Sequence, residues 1–198
     1  MKLFEQISTL VPSLGGWTSV PKAQTFAGLI LSYRPMISVE LGVWMGRGAL
    51  SLALAHKEIG KGMVYAIDAW SPEASVEGQI NEADRKHWGS ANHEAAYQSV
   101  LKNVQVLGVQ NCTTVIRKRT RDVEPPDGIG FLIIDANHGN EAVDDVKKWA
   151  PRVLSGGFVY CDDLEWAGGG VLRAVAHLRS MGFRELYPIE TGMMFQRC

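Results

Sequence analysis

Three aspartates and a histidine carry the chemistry that is most directly legible: Asp135, Asp162, Asp163 and His138. The acids follow short apolar runs, Phe131-Leu132-Ile133-Ile134 before Asp135 and Phe158-Val159-Tyr160-Cys161 before Asp162-Asp163, so they close strands. In a parallel sheet such ends share one rim, and three carboxylates there repel one another unless a cation, protons or basic side chains intervene. Magnesium, a hard ion that prefers oxygen donors, is the expected occupant of Asp135, Asp162 and Asp163. It would also acidify a hydroxyl bound beside it. His138 titrates near neutral pH and is the candidate general base. The plainer alternatives are that the aspartates cap helices or face solvent, and that His138 orients its loop.

A second constellation lies upstream. Glu40-Leu41-Gly42-Val43-Trp44-Met45-Gly46-Arg47-Gly48 separates an apolar strand from an apolar helix, the place where open α/β sheets bind ligands. Gly42 and Gly46 admit backbone conformations closed to other residues and let main chain approach a ligand. A dinucleotide loop, G-x-G-x-x-G, needs glycine two positions after the first, and Trp44 stands there. A diphosphate is therefore disfavoured, and a compact cofactor with an amino-acid tail and a nucleoside fits better. Asp68, about 20 residues beyond the loop at the end of the next strand, is placed to accept hydrogen bonds from a ribose. The alternative is a tight turn followed by an ordinary strand-end acid.

These residues need a scaffold that brings them to one rim. Ala23, Phe26, Ala27, Ile30 and Leu31 recur at helical spacing and stop at Arg34-Pro35. Ile37 to Leu41 reads as a strand, Ala49 to Ala55 as a helix ended by Gly60 and Gly62, and Met63 to Ile67 as a strand terminating at Asp68, a βαβ unit. From Ser71 to His93 the chain turns polar and irregular, which predicts an inserted cap or lid. Helical spacing resumes at Tyr97, Val100, Leu101 and Val104. Val115-Ile116, Phe131 to Ile134 and Phe158 to Cys161 are further expected strands, with a helix from Asn140 to Leu154 between the last two. Val171, Ala174, Val175 and Leu178 make one more helix face, and Phe183 to Tyr187 and Met193 to Gln196 close the chain as strands. The expected fold is α/β, Rossmann-like and doubly wound: a mostly parallel sheet of about seven strands, helices on both faces and a closing antiparallel strand. A single domain over residues 1–198, with the lid inserted at 71–93, is expected.

Composition narrows the partners. The 20 Lys and Arg against 21 Asp and Glu give a net charge of −1, with no general pull on nucleic acid or anionic lipid. Small-molecule partners follow. The basic cluster Arg117, Lys118, Arg119 and Arg121 reads as a solvated segment beside the cofactor rather than a nucleic-acid patch. Residues 1–16 lack a basic start, and no apolar run approaches the roughly 20 residues of a membrane span, so a cytoplasmic protein is expected. Cys112, Cys161 and Cys198 are odd in number and lack C-x-x-C spacing, against a disulfide framework or thiolate zinc site. Trp17, Trp70, Trp88 and Trp166 are candidates for an aromatic substrate enclosure or for core packing, and His87 and His93 for surface or lid positions. Gly168-Gly169-Gly170 offers a hinge, a helix start or a plain loop.

Four ordered blocks carry a resemblance: Val39 through Gly48, Ile67-Asp68-Ala69-Trp70, Ile134-Asp135-Ala136-Asn137-His138 with Glu141-Ala142-Val143, and Ser155-Gly156-Gly157 before Cys161-Asp162-Asp163. On these the chain resembles class I S-adenosylmethionine-dependent methyltransferases, in the branch of metal-dependent small-molecule O-methyltransferases and cephalosporin-type hydroxylases. The resemblance spans most of the chain. It implies that Glu40 and the loop with Gly42, Trp44 and Gly46 hold the methionine part of S-adenosylmethionine. Asp68, beside Ala69, would take the ribose, and Thr120 with Arg119 would border the adenine. It also implies a divalent metal on Asp135, Asp162 and Asp163, and methyl transfer to an oxygen of a small-molecule acceptor. The chain departs from its relatives at Asn137, where they commonly carry the second acid of Asp-Gly-Asp-His, and at Lys118, where they often have glycine. A hydroxylase or other oxidoreductase on the same fold, and a non-catalytic cofactor-binding protein, are the rival readings. The acceptor is not legible, and a homo-oligomer stays open.

Overall fold

Burial alternates along the central strands and so divides the molecule into layers. Phe131 and Ile133 pack into one core and Leu132 and Ile134 into another, as a period of two demands when both faces of a sheet are covered. The computed structural model describes residues 2–198. In chain order the elements are α1 (Leu3–Ser13), α2 (Val20–Tyr33), β1 (Ile37–Leu41), α3 (Arg47–Ile59), β2 (Met63–Asp68), α4 (Pro72–Val76), α5 (Glu82–Ser90), α6 (His93–Val106), β3 (Thr113–Arg117), β4 (Ile129–Ile134), α7 (Asn140–Trp149), β5 (Val153–Cys161), α8 (Gly170–Ser180), β6 (Phe183–Ile189) and β7 (Gly192–Arg197). Buried residues of α1, α2, α3 and α6 form one core, and those of α7 and α8 the other. Among the described residues no helix is long and apolar enough to cross a membrane.

The sheet order is β3-β2-β1-β4-β5-β7-β6. Its first five strands run parallel, and β7 is antiparallel to both β5 and β6. The expected Rossmann-like sheet with its closing antiparallel strand is thus present. The order reverses between β1 and β4, where crossovers leave a crevice at the strands' carboxyl ends. Register then places the site: Leu41 pairs with Ile134 and Ile134 with Cys161, so Gly42, Asp135 and Asp162 emerge side by side.

Three segments differ from the sequence expectation. Helix α1 was not anticipated, yet it buries Leu3, Ile7, Leu10 and Val11 on one face. The expected helix to Leu154 stops at Trp149, because Pro151 removes a backbone donor, and β5 begins at Val153 rather than Phe158. The irregular segment 71–93 is largely helical: Ser71 caps α4 by accepting from Ala74 N, and Asn81 caps α5 by accepting from Ala83 N. Caps, not apolar periodicity, start these two helices, and neither buries a residue fully.

Candidate active site

The loop after β1 is a sequence of left-handed residues. Gly42 has φ +85°, Trp44 +49° and Gly46 +90°. At Gly42 a Cβ would collide with the main chain of Asp135 and Ala136, so the close approach of the β1 and β4 ends itself requires glycine. Trp44 is not glycine, and its conformation needs support. Asp68 supplies it: Oδ2 accepts from Val43 N and Trp44 N, both at 2.9 Å, and Oδ1 accepts from Trp70 N at 2.7 Å. Three of the roughly four acceptor positions of a carboxylate are therefore spent on backbone, leaving about one for a ligand hydroxyl. Glu40 is buried against the start of α3, where it accepts from Ala49 N at 2.6 Å. Gly48 lets it lie there, since a Cβ at that position would strike the carboxylate. Burial, and then the charge of Asp135, hold Glu40 well above the usual carboxylate range.

At the ends of β4 and β5 the structure groups Asp135 and Asp163 with His138. His138 Nε2 lies 3.2 Å from Asp163 Oδ2 and 3.5 Å from Asp135 Oδ1. These contacts are close enough for strong charge attraction but poorly aligned as hydrogen bonds, so Nε2 is buried with bonding capacity unspent. Burial pulls the imidazole down; the two carboxylates close beside it, Asp135 and Asp163, outweigh it and raise its pKa to about 9. Burial raises Asp135 to about 6 despite His138, whereas His138 keeps Asp163 below its ordinary value against burial. The two carboxylates thus favour the imidazolium form of His138, whereas the expected general base needs the neutral ring. Trp166 stacks on the ring at 4.6 Å, and Asp163 is itself left-handed at φ +52°.

Asp162 does not join this group. Its Oδ2 accepts from Lys22 Nζ at 2.6 Å, and its Oδ1 accepts from Tyr160 Oη at 3.0 Å, Thr191 Oγ1 at 2.7 Å and Asp163 N at 2.9 Å. Among the described residues, the donors within 4.8 Å of one another are Asp135, His138 and Asp163, and Asp162 is not among them. Lys22 was missed in the sequence. Its signal was position, for it falls on the same helical stripe as Phe26 and Ile30, where a lysine must find a buried partner.

A cavity of about 700 Å³ connects the two constellations. Its wall includes Glu40, Gly42, Trp44, Asp68, Ala69 and Thr120 at one end and Asp135, His138, Asp162 and Asp163 at the other; Gly46 lies behind the loop, packed on Leu50 and Val100. Segment 71–93 lies over it. Glu77 pairs with Arg119 and with Arg121, accepts from Asn137 through its carbonyl, and Gln79 accepts from Trp166 Nε1 at 3.3 Å. Arg117 pairs with Glu94 at 2.6 Å, so three members of the basic cluster are engaged with acids. Of the four expected tryptophans, Trp17, Trp88 and Trp166 line the cavity, while Trp70 is 1% exposed in the core and donates to Trp44 O. His93, expected at the surface or in the lid, is buried against Trp44 and bonded to Trp88 O at 2.8 Å. Arg47 holds the 14–18 loop at the mouth through Leu14 O and Thr18 O. Gly170 lets α8 start against His138 O and Gly139 O, so this glycine serves close packing as the helix begins.

A family model described as a methyltransferase domain matches residues 39–164. No curated protein sequence matches. Among solved structures, the chain is similar to the O-methyltransferase NovP, with 17% identity, TM-score 0.68, and coverage of 92% of this chain and 83% of that one. It is also similar to the Podospora anserina methyltransferase PaMTH1 in its SAH-bound form, with 12% identity, TM-score 0.71, and coverage of 100% and 88%. The O-methyltransferase TomG from Streptomyces achromogenes, involved in tomaymycin synthesis and solved with SAM, gives 12% identity, TM-score 0.64, and coverage of 100% and 91%. At these identities the likeness is one of fold.

Proposed function

The chain belongs to the methyltransferase-domain family, and on that premise we propose that it transfers a methyl group from S-adenosylmethionine to an oxygen of a small-molecule acceptor. The observation that carries this reading is the pair of carboxylates on the cavity wall, the buried Glu40 and the partly buried Asp135, both held above their ordinary pKa chiefly by desolvation. Such acids favour a cationic ligand and disfavour an anionic one. A sulfonium and an ammonium fit them, whereas a diphosphate adds like charge. Bound there, the cofactor supplies an electrophilic methyl on sulfur.

The chain's own residues do the rest. The loop from Gly42 to Gly46 holds the amino-acid tail, the remaining acceptor position of Asp68 takes a ribose hydroxyl, and Ala69 and Thr120 leave room beside the base. Transfer to oxygen needs little beyond alignment and a place for the hydroxyl proton. Asp135 takes that proton near neutral pH, because its pKa of about 6 is nearer the working range than the imidazolium's value of about 9. His138 keeps both flanking carboxylates in place. A divalent ion on Asp135, Asp163 and neutral His138 would add acidification of the hydroxyl. The chain works as one domain, with residues 71–93 as a lid that excludes water and Trp17, Trp88 and Trp166 enclosing the acceptor.

Methyl-labelled S-adenosylmethionine incubated with a panel of hydroxylated small molecules tests the reading. Label recovered in an ether product supports it. Label recovered only on nitrogen, or only in an RNA fraction, removes the acceptor assignment.

A further inference from the structure

Lys22 lies outside the stretch matched by the family model, on α2, and is 3% exposed. A buried ammonium is stable only when paired and hydrogen-bonded. Its Nζ is 2.6 Å from Asp162 Oδ2 and 3.4 Å from Glu190 Oε2, and sits 5.6 Å from the centre of the Tyr160 ring. Ser19, which caps α2 by accepting from Lys22 N, donates to the same Glu190. The cation is thus held from two sides, by the end of β5 and by the turn between β6 and β7.

We propose that Lys22 is the resident cation of the acidic rim, a positioning residue that withdraws Asp162 from metal coordination and sets Asp163 against His138. Asp162 Oδ1 takes three donors, Tyr160, Thr191 and the Asp163 amide, and Oδ2 takes the Lys22 ammonium. A metal ion at Oδ2 would have to sit against that ammonium in a buried place. The Asp163 amide bond, in turn, belongs to the left-handed turn that aims the Asp163 side chain at His138. A single ammonium therefore neutralises charge at the position where three strand-end acids would otherwise gather around a divalent ion. The inference deepens the methyltransferase reading and rests on it for its meaning, but its evidence is the ion pair itself.

Calorimetric titration with magnesium chloride, on wild type, Lys22→Met and Lys22→Arg, reads the effect without turnover. S-adenosylhomocysteine titrated into the same three proteins reports separately on the methyltransferase reading. Lys22→Met, with Asp162 released to join Asp135 and Asp163, is expected to bind magnesium at least tenfold more tightly than wild type. Lys22→Arg keeps the charge and is expected to match wild type. A folded Lys22→Met protein with no gain in magnesium affinity overturns the proposal. Should Lys22→Met not fold, Asp162→Asn decides: magnesium affinity equal to wild type supports the proposal, and a tenfold loss shows that Asp162 is a metal ligand and overturns it. Failure of S-adenosylhomocysteine to bind wild type counts against the cofactor reading and leaves the magnesium comparison standing.

Discussion

Gly42 has no tolerable substitute, because its φ of +85° and the main chain of Asp135 and Ala136 both exclude a Cβ. Gly42→Ala is expected to cost on the order of 1–3 kcal/mol of stability and to abolish cofactor binding, read by thermal melting and calorimetry. Asp68→Asn tests a different point. The carboxylate braces Val43 and Trp44 as well as facing the cavity, so the variant should bind S-adenosylhomocysteine at least tenfold more weakly, about 1.4 kcal/mol. Unchanged affinity in a folded Asp68→Asn protein would show that neither the brace nor the ribose contact matters. Asp145, on α7, gives a pH prediction. Burial lifts its pKa to about 7, above the unfolded value, and its Oδ2 has no partner among the described residues. The stability linked to this group is fully present below the unfolded pKa of about 4 and is lost progressively as pH rises from there through about 7, where the buried carboxyl ionises. Asp145→Asn should therefore gain stability over wild type at pH 8 relative to pH 5, by up to about 2.7 kcal/mol. Equal pH dependence of melting in both proteins would contradict it. At this scale the sequence displayed the residue types, Glu40, Gly42, Asp68, Asp135, Asp163 and His138. It did not display the pairing of Lys22 with Asp162, 140 positions away, which only the packing of α2 on the sheet creates.

Between α4 and α5 the chain is tied down by Glu77, held by Arg119 and Arg121 after β3, and by Gln79, which accepts from Trp166 Nε1. Partly exposed ion pairs contribute at most about 1 kcal/mol each, so the tie can hold the segment without locking it, as the lid proposed above requires. Glu77→Ala is expected to speed hydrogen exchange across 72–90 and the release of bound cofactor, with little change in melting temperature. Exchange there as slow as in wild type would mean that the segment is a permanently packed cap. The short capped helices of segment 71–93 escaped the sequence reading for a physical reason: helices that bury nothing fully show no apolar stripe. Helix α1 does carry one, but its stripe is only eleven residues long and ends on Pro12-Ser13. The long central elements were legible because both faces of β1 and β4 are buried, and continuous apolar runs mark such strands.

Seven strands in the order β3-β2-β1-β4-β5-β7-β6 put one crevice where the loop after β1 meets the acids after β4 and β5. That crevice follows from the alternation of strands and helices, since right-handed crossovers leave few other orders for a doubly wound sheet. What fills it depends on electrostatics that only burial reveals, above all the raised pKa values of Glu40 and Asp135, which ask for a cation. Calorimetric titration of the purified chain with S-adenosylmethionine, with nicotinamide adenine dinucleotide as the anionic control, tests this most directly. One S-adenosylmethionine is expected to bind per chain, with no heat from the dinucleotide. Saturable binding of the dinucleotide with none of S-adenosylmethionine would contradict it.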